Sequence, residues 1–197
     1  TTSLTLGPGE AREIMVQARL PELTDPGGQG RLRLQAQCPQ TPRQPEPPVA
    51  EVIDTIEVAG RPELTVTKAA DRATAQRGDT IRFDLSAENI GSGPAAPVAL
   101  VVDGVGTERV VVVDTIPANT TFVRIDSGVG DLLYHLAGTP ADQWQTQPPS
   151  APATVDRIAL SAARLQPGDR LEGRLSVRVN DNAAGTIRNV AEARYAL

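Results

Sequence analysis

Apolar and polar residues alternate with a period of two along most of this chain, in short segments that end at Gly or Pro. This is the period of a β-strand that has one face in a core and the other in water. Gly and Pro, at 17 residues each, mark the turns between the segments. No segment of useful length has the spacing of an amphipathic helix. The pattern predicts an all-β protein built from antiparallel sheets.

Residues 1–60 predict an incomplete domain. Their apolar positions predict four strands, each with one buried face, near residues 3–6, 14–20, 32–38 and 50–58. Four such strands cannot close a two-sheet domain, which needs about seven. We therefore expect residues 1–60 to be the C-terminal half of a β domain whose other strands lie outside this chain or belong to another molecule. Because the chain begins within this pattern, we expect it to be a fragment of a longer protein.

After a short join at Ala59–Glu63, residues 61–197 predict a complete antiparallel β-sandwich. Its longest segments have one dry face and one wet face, as where Phe83 and Leu85 alternate with Asp84 and Ser86. The segment Asp103–Gly106 predicts the tip of a hairpin. The predicted strands are Leu64–Ala69, Asp79–Glu88, Val98–Val102, Arg109–Ile116, Thr121–Asp126, Asp131–Leu136, Val155–Ala162, Arg170–Val179 and Gly185–Ala196.

Composition excludes several classes of function. The net charge of −5 disfavours binding to nucleic acid or to an anionic membrane surface, and no apolar run reaches transmembrane length. Aromatic residues make up only 3%, too few for a platform on which bases stack. The single cysteine, Cys38, excludes an internal disulfide framework and is predicted to be a small core residue, with a bridge to the missing half-domain as the alternative. With only one histidine as well, we predict no cofactor and no enzyme activity.

One basic side chain differs from all the others. Of the 19 cationic side chains, Lys68 is the only lysine. A buried lysine can lose its proton and become a nucleophile, whereas arginine stays charged. The period of two places Lys68 on the face of Leu64 and Val66, which should point into the core. Because an unpaired ammonium is very costly there, Lys68 needs a polar partner.

Two other strands place a polar group on an apolar face. Asp114 is in phase with Val110, Val112 and Ile116 in its strand. Asn189 is in phase with Ile187, Ala191, Ala193 and Tyr195 in the last predicted strand. These are the two partners that the chain offers to Lys68.

The second domain resembles a known family through several sequence blocks. It is similar to the bacterial surface repeat called domain of unknown function eleven, over nearly all of residues 64–197 and with the blocks in the family's order. Residues 1–60 resemble the end of a similar repeat, through Leu6–Glu10. Segments around Asp103–Arg109 and Tyr134–Pro149 depart from the shortest versions of the pattern. The matching blocks are Val66–Lys68, Arg77–Ile81, Glu88–Pro94, Val113–Pro117, Leu165–Gly168 and Ala184–Ala191.

The resemblance implies Ig-like β-sandwiches that are strung along exported adhesins, surface-layer (S-layer) proteins and other cell-envelope proteins. Such repeats are also similar to pilin and adhesin domains that form an internal Lys–Asn isopeptide bond with the help of a carboxylic acid. On this chain the cross-linked pair would be Lys68 and Asn189, and Asp114 would promote the reaction. Without the cross-link, the same residues predict a buried ion pair of Lys68 with Asp114, while Asn189 bonds to nearby backbone. A third interpretation lets Lys68 reach past the sheet edge to water.

Weaker signals lie in the loops. Asp126 and Asp131 are candidate calcium ligands, although turns use the same residue types for backbone reasons. Trp144 and the prolines after it predict either a binding patch or, preferably, a segment that covers a sheet.

The sequence therefore predicts tandem Ig-like sandwiches, the first incomplete, that serve as a structural stalk or lattice module of an exported bacterial envelope protein. Neighbouring repeats of the same protein, other envelope proteins or further copies of this chain are the expected partners. A ligand-binding adhesin module, with residues 126–154 as its contact loops, and an accessory domain of an envelope enzyme are the alternatives.

Overall fold

The computed structural model describes residues 4–19, 29–37 and 49–196, apart from the side chains of residues 29 and 127. The chain divides into two compact units, Thr1–Val58 and Ala59–Leu197. In the described ranges the regular structure consists of β-strands and one short 3-10 helix. The prediction of an all-β protein is confirmed.

The first unit contains one antiparallel pair of strands, β1 (Gln29–Gln37) and β2 (Val49–Glu57). Every residue of β2 is exposed. Residues 4–19 form no strand, so the strands predicted near residues 3–6 and 14–20 are wrong wherever the structure describes them. Their apolar side chains, such as Ile14 and Met15, are exposed, and a strand needs a paired neighbour that these residues lack here. Cys38 lies outside the described residues.

The second unit is a sandwich of two sheets. The four-stranded sheet has the order β3-β4-β11-β7, and the six-stranded sheet has the order β8-β10-β6-β5-β9, with β12 paired to β6. The 3-10 helix, η1, is Pro152–Thr154. The strands are β3 (Leu64–Ala70), β4 (Thr80–Asn89), β5 (Val98–Val102), β6 (Val105–Thr115), β7 (Thr120–Val129), β8 (Asp131–Leu136), β9 (Gln143–Trp144), β10 (Val155–Ala162), β11 (Arg170–Val179) and β12 (Ala191–Arg194).

The main core lies between the inner faces of these two sheets. Alternate residues of β4 and β11 meet alternate residues of β6 and β10, which is what the period of two in those segments requires. The largest of these side chains are completely or almost completely buried, among them Leu171, Leu175, Ile158, Leu160, Val110 and Val112.

A second, smaller core lies on the outer face of the six-stranded sheet. Val111, Val113, Leu133 and Ala159 pack there beneath Trp144, together with Leu100. Residues 137–154, which we call the cap, supply Trp144 and cover this face. The predicted covering role of the Trp144 segment is thereby confirmed. Burial on both faces also explains the unbroken apolar run Val110–Val113 in β6.

The predicted hairpin tip is also confirmed. Asp103 and Gly104 connect β5 to β6 and have positive φ angles of 51° and 80°. A two-residue turn with positive φ at both positions matches the twist of the strands that it joins. In the described part of the chain, no helix has the length and the apolar character needed to cross a membrane.

Candidate functional site

The three polar residues predicted to meet lie on strands that the sandwich brings together. Lys68 is on β3, an edge strand of the four-stranded sheet, and its side chain lies on the inner face with Leu64 and Val66. Asp114 is near the end of β6, where it stands opposite Ala191 of β12. Asn189 precedes Ala191 by two residues. Because β3 and β12 contact each other, residues from the first and last strands of the sandwich meet at one edge of its core.

Lys68 and Asp114 form an ion pair that joins the two sheets. The Nζ atom of Lys68 donates a hydrogen bond to Oδ2 of Asp114. The Lys68 side chain is 12% exposed and that of Asp114 is 0% exposed. The ammonium also lies 5.2 Å from the centre of the Phe83 ring, within the range of a cation–π interaction. The interpretation in which Lys68 reaches out to water is therefore wrong, because its nitrogen is held by a fully buried carboxylate.

Asn189 lies next to this pair with its amide unused. Among the described residues, neither Nδ2 nor Oδ1 of Asn189 has a hydrogen-bond partner, and neither does Oδ1 of Asp114. The amide is nevertheless close enough to lower the pKa of Asp114, as the weakest of several influences on that carboxyl. The two groups are thus neighbours whose atoms do not reach hydrogen-bond geometry. The hydrogen bond from Asn189 to nearby backbone, which belongs to the ion-pair interpretation, does not form with any residue that the structure describes.

Burial shifts the proton equilibrium of this site toward its neutral forms. Desolvation lowers the pKa of Lys68, against the charge of Asp114 and the hydrogen bond to it. Desolvation likewise raises the pKa of Asp114, against the charge and hydrogen bond of Lys68 and the contact with Asn189. Both shifts favour transfer of a proton from the ammonium to the carboxylate. The site therefore places an amine, an acid and an amide side by side, and burial disfavours the charged forms of the first two.

The two calcium candidates lie on different sheets, and each is paired with an arginine. Asp126 is on β7 of the four-stranded sheet and pairs with Arg124, whereas Asp131 is on β8 of the six-stranded sheet and pairs with Arg109. Over residues 4–19, 29–37 and 49–196, no three acidic, histidine or cysteine side chains form a group that suits a metal ion.

One cluster was missed by the sequence reasoning. His135 is buried beneath the cap and contacts Asp156 and Arg157 of β10. A β-bulge in the pairing of β10 with β8 falls between Val155 and Arg157, at Asp156. Bulges re-aim side chains, and simple alternation gives no signal of where they occur.

A scan against protein-family models and a search of the curated proteins found no match to this chain. The resemblance to a bacterial surface repeat stays a prediction.

Proposed function

We propose that this chain is a structural module of a stalk or lattice in an exported bacterial cell-envelope protein, and that its sandwich is closed by an isopeptide bond between Lys68 and Asn189. The observation that carries the proposal is the group of Lys68, Asp114 and Asn189, in which an amine and an acid are paired and the buried amide has no hydrogen-bond partner among the described residues. The envelope setting is supported by the resemblance of residues 64–197 to bacterial surface repeats.

The reaction needs no reagent beyond these side chains. Lys68 first gives a proton to Asp114, which leaves a neutral amine beside a protonated acid. The amine nitrogen attacks the side-chain carbonyl carbon of Asn189, while Asp114 donates a hydrogen bond to that carbonyl. A new C–N bond forms and the bond from that carbon to Nδ2 breaks. Asp114 passes its proton to Nδ2, which leaves as ammonia, and takes in return the proton that the attacking nitrogen loses, so the acid ends protonated. The self-reaction occurs once, so the protein is not an enzyme.

The position of the bond fits a mechanical role. Lys68 and Asn189 are 189 − 68 = 121 positions apart in the sequence, and closure of this loop should stabilise the fold by about 4–5 kcal/mol through the unfolded-state entropy. The bond also connects β3 to the segment that leads into β12, the two ends of the sandwich. A force applied to these ends would act on a covalent link instead of on the backbone hydrogen bonds of the strands.

The first unit supports a role in assembly. Val49, Val52, Ile53 and Ile56 of β2 and Leu34 of β1 are exposed. A two-stranded sheet with exposed apolar residues is marginal by itself in water. Further strands, either from a neighbouring repeat or from another envelope protein, would bury these residues.

A ligand-binding module is the second candidate. A trough of about 560 Å³ crosses the outer face of the four-stranded sheet, between rows of side chains that include Asp84, Asp126, Glu172 and Arg174. This trough favours contact with a partner on the sheet face. The loops predicted to contact a ligand, residues 126–154, include Trp144, but that side chain is buried in the second core.

Intact mass under denaturing conditions tests the cross-link. We expect the wild-type chain to be lighter than its calculated mass by one ammonia. Lys68→Arg keeps a cation beside Asp114 but removes the nucleophile, and Asn189→Ala removes the carbonyl, so both variants should have their full calculated masses. A wild-type chain at full mass would exclude the bond, and a variant that still lost ammonia would place the loss elsewhere.

Single-molecule pulling on the whole chain tests the mechanical role separately. With the bond in place, the loop between residues 68 and 189 cannot extend, whereas in Lys68→Arg it should extend by roughly 3.3–3.6 Å per residue. If intact mass shows the cross-link but the wild type and Lys68→Arg extend by the same length, the proposed mechanical function is wrong, although the proposed cross-link is correct.

A further inference from the structure

We propose that residues 89–96, the connection from β4 to β5, form a clasp that holds both chain ends of the sandwich and releases them under load before the cross-link is reached. The cross-link encloses residues 68–189 and leaves residues 61–67 and 190–196 outside it. This inference rests on the proposed mechanical function and adds a first, weaker stage to it, which hydrogen bonds alone carry.

The N-terminal end of the sandwich is bound to the first half of the clasp. The carbonyl oxygen of Arg61 accepts hydrogen bonds from the amides of Ser92 and Gly93, and the amide of Arg61 donates to Oγ of Ser92. The backbones approach so closely there that a Cβ atom added to Gly93 would lie 2.4 Å from atoms of Gly60. Two further hydrogen bonds join Glu63 to residues 89 and 90. The segment before β3 is therefore held at several points.

The C-terminal end of the sandwich is bound to the other half of the clasp. Ala96 and Ala196 exchange two backbone hydrogen bonds, of 3.2 and 2.9 Å, as an isolated antiparallel bridge. Because Gly93 and Ala96 are three residues apart, at most about 11 Å of clasp separates the two points of attachment. The two chain ends thus lie at the same end of the sandwich, and the proposed cross-link lies farther along both terminal strands.

The clasp itself is anchored in the part of the chain that the cross-link encloses. Nδ2 of Asn89 donates to the carbonyl oxygen of Leu165, and the amide of Ala95 donates to the same oxygen. Asn89 and Ala95 are completely buried, and Leu165 is almost completely buried. The clasp therefore stays with the body of the sandwich when the chain ends leave it.

The placement of these bonds decides the order in which load reaches them. A force that separates the chain ends acts first on the hydrogen bonds of Arg61 and Ala196, because these lie nearest to the ends. The pairs of β3 with β4 and of β12 with β6 then open one after another, toward Lys68 and Asn189. Bonds that are loaded one at a time give way at a lower force than bonds that are loaded together. Opening stops at the cross-link, because the enclosed residues cannot extend.

The clasp gives the module a limited and recoverable extension. Residues 61–67 and 190–196, seven in each segment, supply roughly 45–50 Å when both are fully extended. The completely or almost completely buried side chains of the main core all lie between Ile81 and Val179, inside the enclosed part. The body of the sandwich thus stays folded, and the released segments can pair with it again when the load falls.

Force-clamp measurements on the whole chain, held at its two ends, test the clasp. We expect the wild type to show a step of roughly 45–50 Å that reverses when the force is lowered. Ser92→Ala removes the hydrogen bond from Arg61 and should raise the rate of this step at fixed force about fivefold, the effect of one ordinary hydrogen bond. Ser150→Ala is the matched control, because Ser150 is exposed in the cap, and it should leave the rate unchanged. Extension of residues 1–60 is common to all these chains and serves as the internal reference.

The outcomes separate the clasp from the cross-link. If intact mass shows the cross-link but the step is missing, or if Ser92→Ala and Ser150→Ala release at equal rates, the clasp is wrong and the cross-link stands. If intact mass shows no cross-link, the step has no stop and merges with unfolding of the sandwich. Faster unfolding of Ser92→Ala than of Ser150→Ala under force would then still support the clasp, and equal rates would overturn it.

Discussion

Two asparagines of the sandwich have buried side-chain amides, and they use them differently. Nδ2 of Asn89 donates to the carbonyls of Gly93 and Leu165, and its Oδ1 accepts from the amides of Glu63 and Gly91. Asn89 thereby uses its full hydrogen-bonding capacity to fix a loop. The side-chain amide of Asn189, in contrast, makes no hydrogen bond to any residue that the structure describes. A buried polar group without a partner costs about 1–3 kcal/mol, and the proposed reaction gives a reason for a group of this kind at position 189.

The charge of Asp114 leads to a prediction at the residue scale. In Lys68→Met no cross-link can form, and the carboxyl loses the cation that opposes its desolvation. Burial then raises its folded-state pKa further above the ordinary value of 3.8. Between these two pKa values the folded protein binds a proton that the unfolded chain does not. This extra proton stabilises the folded state. The stabilisation is complete below pH 3.8 and is lost as the pH rises through the folded-state pKa of Asp114.

The measurement compares Lys68→Met with Lys68→Met/Asp114→Asn by urea unfolding at a series of pH values. The free energy of unfolding of the single variant, relative to the double variant, should fall by up to about 1.4 kcal/mol per pH unit above pH 3.8 and then level off. Asp181→Asn in the same background is the control, because the Asp181 side chain is 80% exposed. A flat profile for Asp114 would contradict its desolvation.

The sequence indicates only part of the residue-scale chemistry. Lys68 and Asp114 can be predicted because each breaks an apolar face, and each face proves to be internal. The partners of His135 cannot be predicted in this way. Its burial depends on a cap that folds over the outer face of the sheet, and Asp156 reaches it at a bulge. Neither the cap nor the bulge leaves a periodic signal.

At the scale of elements, alternation predicts strands where one face is buried and fails where pairing depends on distant residues. The predicted β5, β8, β10 and β11 have the observed bounds. The last strand is limited to Ala191–Arg194, although the prediction began it at Gly185, where φ is +82°. The two-residue β9 pairs parallel to β5 and is too short for any pattern to reveal.

The segment at Gly91 passes very close to the backbone of residues 61–63, and this contact leads to a prediction. A Cβ atom added to Gly91 would lie 2.3–2.7 Å from backbone atoms of Arg61, Pro62 and Glu63. Gly91→Ala must therefore displace backbone, and we expect it to lower the free energy of unfolding by about 1–3 kcal/mol. Gly106→Ala is the matched control, because a Cβ atom there meets nothing within 4 Å. Its effect should stay within about 0.5 kcal/mol, and equal losses in urea unfolding would refute the steric explanation.

At the scale of the whole molecule, the two units differ in how many apolar side chains they bury. Every buried apolar side chain among the described residues lies between Ile81 and Val179, within the unit Ala59–Leu197. The described residues of the first unit instead expose apolar side chains such as Val52 and Ile56. Apolar burial is the main favourable term in folding. The stability of the chain should therefore reside in its second unit.

A chain of residues 59–197 should consequently unfold at nearly the same urea concentration as the whole protein, with the same loss of sheet structure by circular dichroism. Residues 1–58 alone should show no cooperative transition, because the two strands that the structure describes there have no buried apolar side chains to offset the conformational entropy of ordering them. A cooperative transition in residues 1–58 would mean that this unit is complete as it stands. A much lower midpoint for residues 59–197 would mean that the sandwich needs the first unit for its stability.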